Sequence, residues 1–350
     1  MSVISRTLQT PRLFTHFLDT GGGGQTVVFV HGNVSSSEFF EPLMLSLSGD
    51  SRVRLVALDL RGFGRSEDKP IDATRGVRDF SDDLHSLLTT LEGVSDKVVL
   101  CGWSVGGAVV MQYAVDHPER VAGLVLEAPM SPYGFGGTRD TVGTPCFPDF
   151  AGSGAGTANP TFVQQLRAGD RGDSSDFSPR KVMNGFYYKP PFRVAAELED
   201  RFVDAMVAMR TGEDHYPGDI KTSPNWPGIA PGARGMNNAL SPAYVNLAAF
   251  ANVSPQPKVL WIRGKDDQIV SDNSLFDLSF LGQLGAVPGW PGAEVCPPQP
   301  MLGQTRAVLT AFRERGGSFE EVVLDNCAHS PHIEKEAEFR AHLQRFLLSL

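Results

Sequence analysis

A chain of 350 residues with 41% hydrophobic and 20% charged side chains has ample material for a core, which excludes a wholly disordered protein. Its 31 basic and 40 acidic side chains leave a net charge of −9 without any Lys/Arg block, so no nucleic-acid and no membrane partner is expected. No run of about 18 apolar residues occurs and the N-terminal stretch lacks an apolar signal region, so a cytoplasmic location is the default expectation.

Short, nearly continuous apolar runs recur at 27–31, 53–60, 97–103, 121–128, 258–264 and 320–326. Each is bounded by Gly, Asp or Pro, the signature of strands buried on both faces of a parallel sheet. Helix-length patterns lie between them. From Asp79 to Leu91, Phe80, Leu84, Leu87, Leu88 and Leu91 share one face. Residues 105–114 are small and apolar all round, as suits a helix laid directly on a sheet. Ser330 with Pro331 predicts the start of a final helix running to about Leu348. The alternation predicts an α/β fold, a mostly parallel central sheet flanked by helices.

Two stretches break it. Residues 130–238 show no strand pattern but several helix starts, at Asn159-Pro160 and Ser178-Pro179, and an apolar stripe over 192–210. Residues 271–301 are loop-rich. Much of the excess of 37 Gly and 25 Pro falls in these two places. The expected organisation is a discontinuous catalytic core, 1–130 and 239–350, with an irregular, mainly helical cap at 131–238 inserted after the strand at 121–128.

Gly102-Trp103-Ser104-Val105-Gly106 is a G-x-S-x-G between an apolar strand and a small-residue helix. Such a turn pushes the serine hydroxyl above the strand ends, over a helix N-terminus. A serine needs a base. His329, between the last strand and the last helix, falls at the same sheet edge, with His332 as fallback. The base needs a carboxylate. Asp267 follows the strand at 258–264, its neighbour Asp266 reads as a turn residue, and Glu127 competes from the end of the 121–128 strand. Oxyanion donors are expected from the amides of Val105 and Asn33, with Gly32 permitting the sharp turn in the loop His31-Gly32-Asn33. His31 reads as a brace for that loop.

Four cysteines are too few for a disulfide framework, although Cys146 and Cys296 both lie in Pro-rich loops and are able to meet. No C-x-x-C, H-x-x-x-H or H-E-x-x-H spacing occurs, so no metal site is expected, and the serine chemistry needs no cofactor.

The order Ser104, Asp267, His329 with HGN upstream resembles the α/β-hydrolase fold superfamily, specifically a serine-nucleophile branch with an inserted cap. DLRGFGRS (59–66), GKDDQIV (264–270) and AHSPHIE (328–334) agree with it. The resemblance covers about 1–130 and 240–350, and implies a structural turn at Asp59 and Arg61. HGN is similar to the haloalkane dehalogenase and epoxide hydrolase branch, whose nucleophile is an aspartate; Ser104 departs from it. A cap laid over Ser104 implies a largely apolar pocket, with Val34, Trp103, Met130 and Trp226 as candidate lining and Asp214, His215, Asn225, Asn237 and Asn238 as candidate polar groups. The expected activity is hydrolysis of an ester or lactone of a small apolar or aromatic molecule. Carbon–carbon hydrolysis, prolyl aminopeptidase activity using Glu197, Glu199 and Asp200, and a slow-turnover ligand receptor are the alternatives.

Overall fold

The structure, a computed structural model, describes residues 2–350. Eight strands form one sheet: β1 (Ile4–Gln9), β2 (Phe14–Asp19), β3 (Gln25–Val30), β4 (Val53–Leu58), β5 (Val98–Trp103), β6 (Val121–Glu127), β7 (Lys258–Gly264) and β8 (Ser318–Leu324). Their spatial order is β1-β2-β4-β3-β5-β6-β7-β8. From β4 to β8 every pairing is parallel, whereas β1 and β2 run antiparallel at one edge.

All six apolar runs are strands. The β1–β2 hairpin is the addition, and exposure explains why β1 carries no apolar run. β1 (ISRTLQ) is an edge strand, largely exposed on both faces, so nothing demands continuous apolar residues there. β3, β4 and β5 are buried almost throughout. The sheet interior is where burial of apolar area drives the fold, at about 25 cal/mol per Å².

Helices cover the sheet, α2 and α3 where the patterns predict them. α1 (Glu41–Leu47) follows the loop after β3, α2 (Arg78–Thr90) carries the Phe80/Leu84/Leu87 face, and α3 (Val105–Asp116) is buried from Val105 through Ala114. The final helix is a correction. Pro331–Glu334 forms one turn and α7 is a separate helix, Glu336–Leu348, after a break at Lys335. Ser330 makes no side-chain cap there.

The segment between β6 and β7 adds no strand to the main sheet. Asn159 caps α4 (Pro160–Ala168) by accepting from the Thr161 and Phe162 amides, and Ser178 caps a turn at Pro179–Val182. α5 (Ala196–Val207) is the helix expected over 192–210. Short strands do occur here: Thr211–Gly212 with Tyr216–Pro217, and Ile220–Thr222 with Ile229–Pro231. They are two or three residues long, too short to leave a periodic signal. Beyond β7, α6 (Met301–Glu314) precedes β8. Among the described residues, no helix is long and apolar enough to cross a membrane.

Candidate active site

Ser104 sits between β5 and α3 with φ 57° and ψ −118°, a conformation that L-residues adopt only under constraint. The constraint is visible. Its amide donates to the Glu127 carbonyl at 2.9 Å, and its own carbonyl accepts from Gly107 at 3.0 Å and Met130 at 2.9 Å. Space is equally tight. A Cβ on Gly102 would collide with the Gly106 backbone, and one on Gly106 with the Val30 carbonyl. A Cβ on Gly32 would lie 2.8 Å from the Ser104 Cβ, so only glycine lets the loop after β3 approach this close.

Asp267 and His329 arrive from the ends of β7 and β8. His329 Nδ1 lies 2.8 Å from Asp267 Oδ2, and both residues are buried. The other oxygen, Oδ1, accepts from the Ile269 amide at 2.8 Å and the Val270 amide at 3.0 Å. These bonds fix the carboxylate in one orientation. His329 is held from behind as well, its carbonyl accepting from Trp103 Nε1 at 2.7 Å. Asp266 points away and pairs with Lys189 at 2.9 Å. Glu127, the competing acid, is fully buried against His332 instead: its Oε1 is 2.8 Å from the His332 amide and 2.7 Å from His332 Nδ1. The fallback base and the competing acid therefore satisfy each other beneath the Trp103 ring.

Ser104, His329, Asn33 and Val105 line one cavity of about 600 Å³. No Ser104–His329 hydrogen bond forms among the described residues; such contacts commonly tighten only with substrate in place. Val105 is the first residue of α3, so its amide has no intrahelical acceptor. The Asn33 amide has no protein acceptor among the described residues, whereas the Val34 amide is taken by Asn33 Oδ1 at 3.1 Å. The Asn33 side chain thus serves its own loop and also donates to Asn237 Oδ1 at 3.0 Å. His31 braces the loop: Nε2 accepts from the Leu60 amide at 3.0 Å, which leaves Nδ1 to donate to the Gly32 carbonyl at 2.7 Å. Burial pushes its pKa down, which suits a neutral ring in this role.

Of the candidate lining residues, Val34, Trp103 and Met130 face the cavity. Trp226 does not line it. Its indole N–H donates to the Pro288 carbonyl at 2.9 Å, anchoring one irregular segment to another. Of the candidate polar groups only Asn237 lines the cavity. Asp214 pairs with Arg234, Asn225 with Asp149, and Asn238 is consumed by backbone groups. Glu199 pairs with Arg180 and Arg193, and Asp200 with Arg180.

Two tyrosines were not anticipated. The Tyr187 hydroxyl lies 3.1 and 3.0 Å from the carbonyls of Asn33 and Val34, tying the loop after β3 to the 131–238 segment. Burial drives the Tyr187 pKa up, so the group stays a donor. Tyr216 stands beside Asn237 at the same wall, with its pKa also raised by burial. In the sequence only the density of aromatics in FYYKPPF (186–192) marks out this stretch. Apart from Thr157 and Asn159 the remaining wall is apolar, including Phe135, Phe162, Phe186, Ile269 and Leu278, and no Asp, Glu, Lys or Arg lines it. All four cysteines are free, with Cys146 and Cys296 adjacent. No cluster of potential metal ligands occurs among the described residues.

A mostly parallel sheet with a strained serine between a central strand and its following helix is the architecture of α/β hydrolases. The alpha/beta hydrolase family model matches residues 27–342, and the chain belongs to that family. It is 26% identical over 292 residues to a 2-(acetamidomethylene)succinate hydrolase of Mesorhizobium japonicum, covering 83% of this chain and 88% of that one. A pimeloyl-[acyl-carrier protein] methyl ester esterase of Shewanella woodyi is 38% identical over 111 residues, only 32% of this chain and 38% of that protein. Among solved structures, a carboxylesterase of Bacillus subtilis shares the fold with a TM-score of 0.60 at 15% identity, covering 100% of this chain and 93% of that one. An N-acyl homoserine lactonase does so with a TM-score of 0.56 at 20% identity, over 99% and 96%.

Proposed function

We propose that the protein is a serine hydrolase acting on uncharged carboxylic esters or lactones with an apolar acyl part. The observation that carries this reading is the convergence of Ser104, the His329–Asp267 pair and two unengaged amides on one cavity without a charged wall. Ser104 Oγ attacks the carbonyl while His329 Nε2 takes its proton. Asp267 holds the Nδ1–H tautomer and steadies the imidazolium. The oxyanion is received by the Val105 and Asn33 amides, each such donor typically being worth about 2.7–4 kcal/mol. His329 then protonates the leaving oxygen, and a water activated by the same ring releases the acid. Every step uses protein groups and water alone.

Residues 131–238 serve as a cap in this reading, supplying Phe162, Phe186, Tyr187 and Asn237 over the nucleophile. Esterases and a lactonase among the similar proteins support the bond type. The succinate derivative named for the Mesorhizobium relative fits less well, because an anion here would meet no cation in the wall. The aminopeptidase alternative loses Glu199 and Asp200 to Arg180 and Arg193, and none of its three acids, Glu197 included, lines the cavity.

Ser104→Ala is the direct test. It should abolish turnover of p-nitrophenyl butyrate while leaving the thermal midpoint near that of wild type. Wild-type turnover in that variant would defeat the mechanism.

A further inference from the structure

A second Ser-His-Asp arrangement lies about the antiparallel edge of the sheet, built from β1, β2 and the turn after β4. Ser5 Oγ is 2.8 Å from His16 Nε2, and His16 Nδ1 is 2.7 Å from Asp59 Oδ2. Thr7, not Ser5, is paired with His16 across the β1–β2 ladder, so the Ser5 side chain meets the ring diagonally. The hydroxyl is at the surface, while the imidazole and carboxylate behind it are buried.

The proton inventory is determined by the neighbours. Asp59 accepts from the Ser37 amide at 2.7 Å and the Arg65 amide at 2.8 Å in addition to His16. Burial works against its charge, yet His16, His31 and the Arg65 amide hold its carboxyl below the usual carboxylate range. An ionised Asp59 requires His16 Nδ1 to carry the hydrogen. Nε2 is then the acceptor, and the Ser5 O–H donates to it. Arg65 Nη1 donates to Ser5 Oγ at 3.2 Å, so a cation stands beside the oxygen that would lose its proton.

Ser5 opens onto a cavity of about 450 Å³, separate from the one over Ser104, between the sheet edge and α5. Its wall holds Glu38, Glu41 and Asp204 beside Asp59, against Arg65 and Arg201. Arg201 is engaged by Glu38 and Glu41. The excess of acid disfavours anionic ligands and leaves neutral or cationic ones.

We propose that Ser5 is a second nucleophilic site, acylated or phosphonylated by small neutral or cationic activated esters, with His16 as base and Asp59 as the group that positions it. Ser5 Oγ forms a bond to the electrophilic carbon or phosphorus as the bond to the leaving group breaks. The Ser5 proton passes to His16 Nε2 and then to the departing anion, and no redox partner is needed. Arg65 stabilises the oxygen as it gains charge.

The test removes Ser104 first, which makes it independent of the reading of the main site. A Ser104→Ala variant is treated with a neutral alkyl fluorophosphonate, and adducts are located by peptide mapping over time. General-base assistance of about 10²-fold or more predicts that Ser5 labels at least about 100-fold faster than Ser174, an exposed serine. The adduct should vanish in Ser104→Ala/Ser5→Ala and slow about tenfold when Arg65→Gln is added. Adding His16→Asn should bring the rate to that of Ser174; should that variant not fold, the Arg65→Gln rate and the Ser5/Ser174 ratio decide. No adduct at Ser5, or one forming no faster than at Ser174, overturns the proposal.

Discussion

Both oxygens of Asp267 are committed, and this makes the residue testable. Oδ1 already accepts two backbone amides, so an asparagine here must keep its carbonyl oxygen on that side and turn its NH₂ toward His329. The NH₂ can only donate, which forces His329 to carry its hydrogen on Nε2, where it cannot act as base. Asp267→Asn should therefore lower kcat by about 10⁴-fold with little change in fold. Glu127→Gln offers the contrast. Its single engaged oxygen, Oε1, can remain a carbonyl and keep both contacts to His332, so kcat should stay near wild type. Steady-state kinetics with p-nitrophenyl butyrate on the two variants checks the assignment; the reverse pattern would move the acid to Glu127.

The short helix Leu278–Gln283 shows what an element can cost. Asp277 caps it through the Ser279 amide at 3.1 Å and reaches across to the Gln299 amide at 2.8 Å. Burial outweighs these two bonds and pushes its carboxyl up to about 6. A folded-state pKa above the unfolded value near 4 means that the fold binds this proton more tightly than the unfolded chain does. The stabilisation is complete below about pH 4 and is lost as pH rises to about 6. Thermal melts across this range should show Asp277→Asn gaining on wild type from pH 4 to about 6, with no further gain above about pH 7. A difference independent of pH would exclude the linkage. This helix was not legible in advance, because six residues among Gly and Pro leave too little periodicity. β1 was missed for another reason, that a solvated edge strand needs no apolar run. The strands buried on both faces were readable because nothing but apolar residues fits there.

For the molecule as a whole, the groups proposed to do the chemistry were readable from local pattern, whereas the cavity wall was readable only in part, at Val34, Trp103, Met130 and Asn237. Ser104, Asp267 and His329 each follow a strand whose position local pattern dictates, so the sheet brings them to one edge. Tyr187 and Tyr216 reach the cavity along irregular backbone whose path depends on tertiary contacts, and Trp226 shows how an aromatic on such a path can end elsewhere. The assembled wall nonetheless makes a quantitative statement. Each CH₂ buried against it is worth about 0.8 kcal/mol, about fourfold in kcat/KM. From p-nitrophenyl acetate through butyrate to hexanoate, kcat/KM should climb at about that rate until the cavity fills. An acyl chain of the same length ending in a carboxylate should fall at least about tenfold below its neutral counterpart. A preference for the carboxylate would refute the neutral-substrate reading.

The glycines packed around Ser104 have a consequence for how this enzyme could diversify. At positions 32, 102 and 106 every single-residue replacement adds a Cβ, and each would strike backbone or Ser104 itself. The immediate neighbourhood of the Ser104 hydroxyl is therefore closed to gradual change. Variation that preserves the chemistry has to enter through the distant wall, where Phe162, Phe186 and Leu278 can change volume without touching the serine. A library confined to those positions would explore new substrates on an unchanged reaction. One that included the three glycines would mostly sample inactive protein.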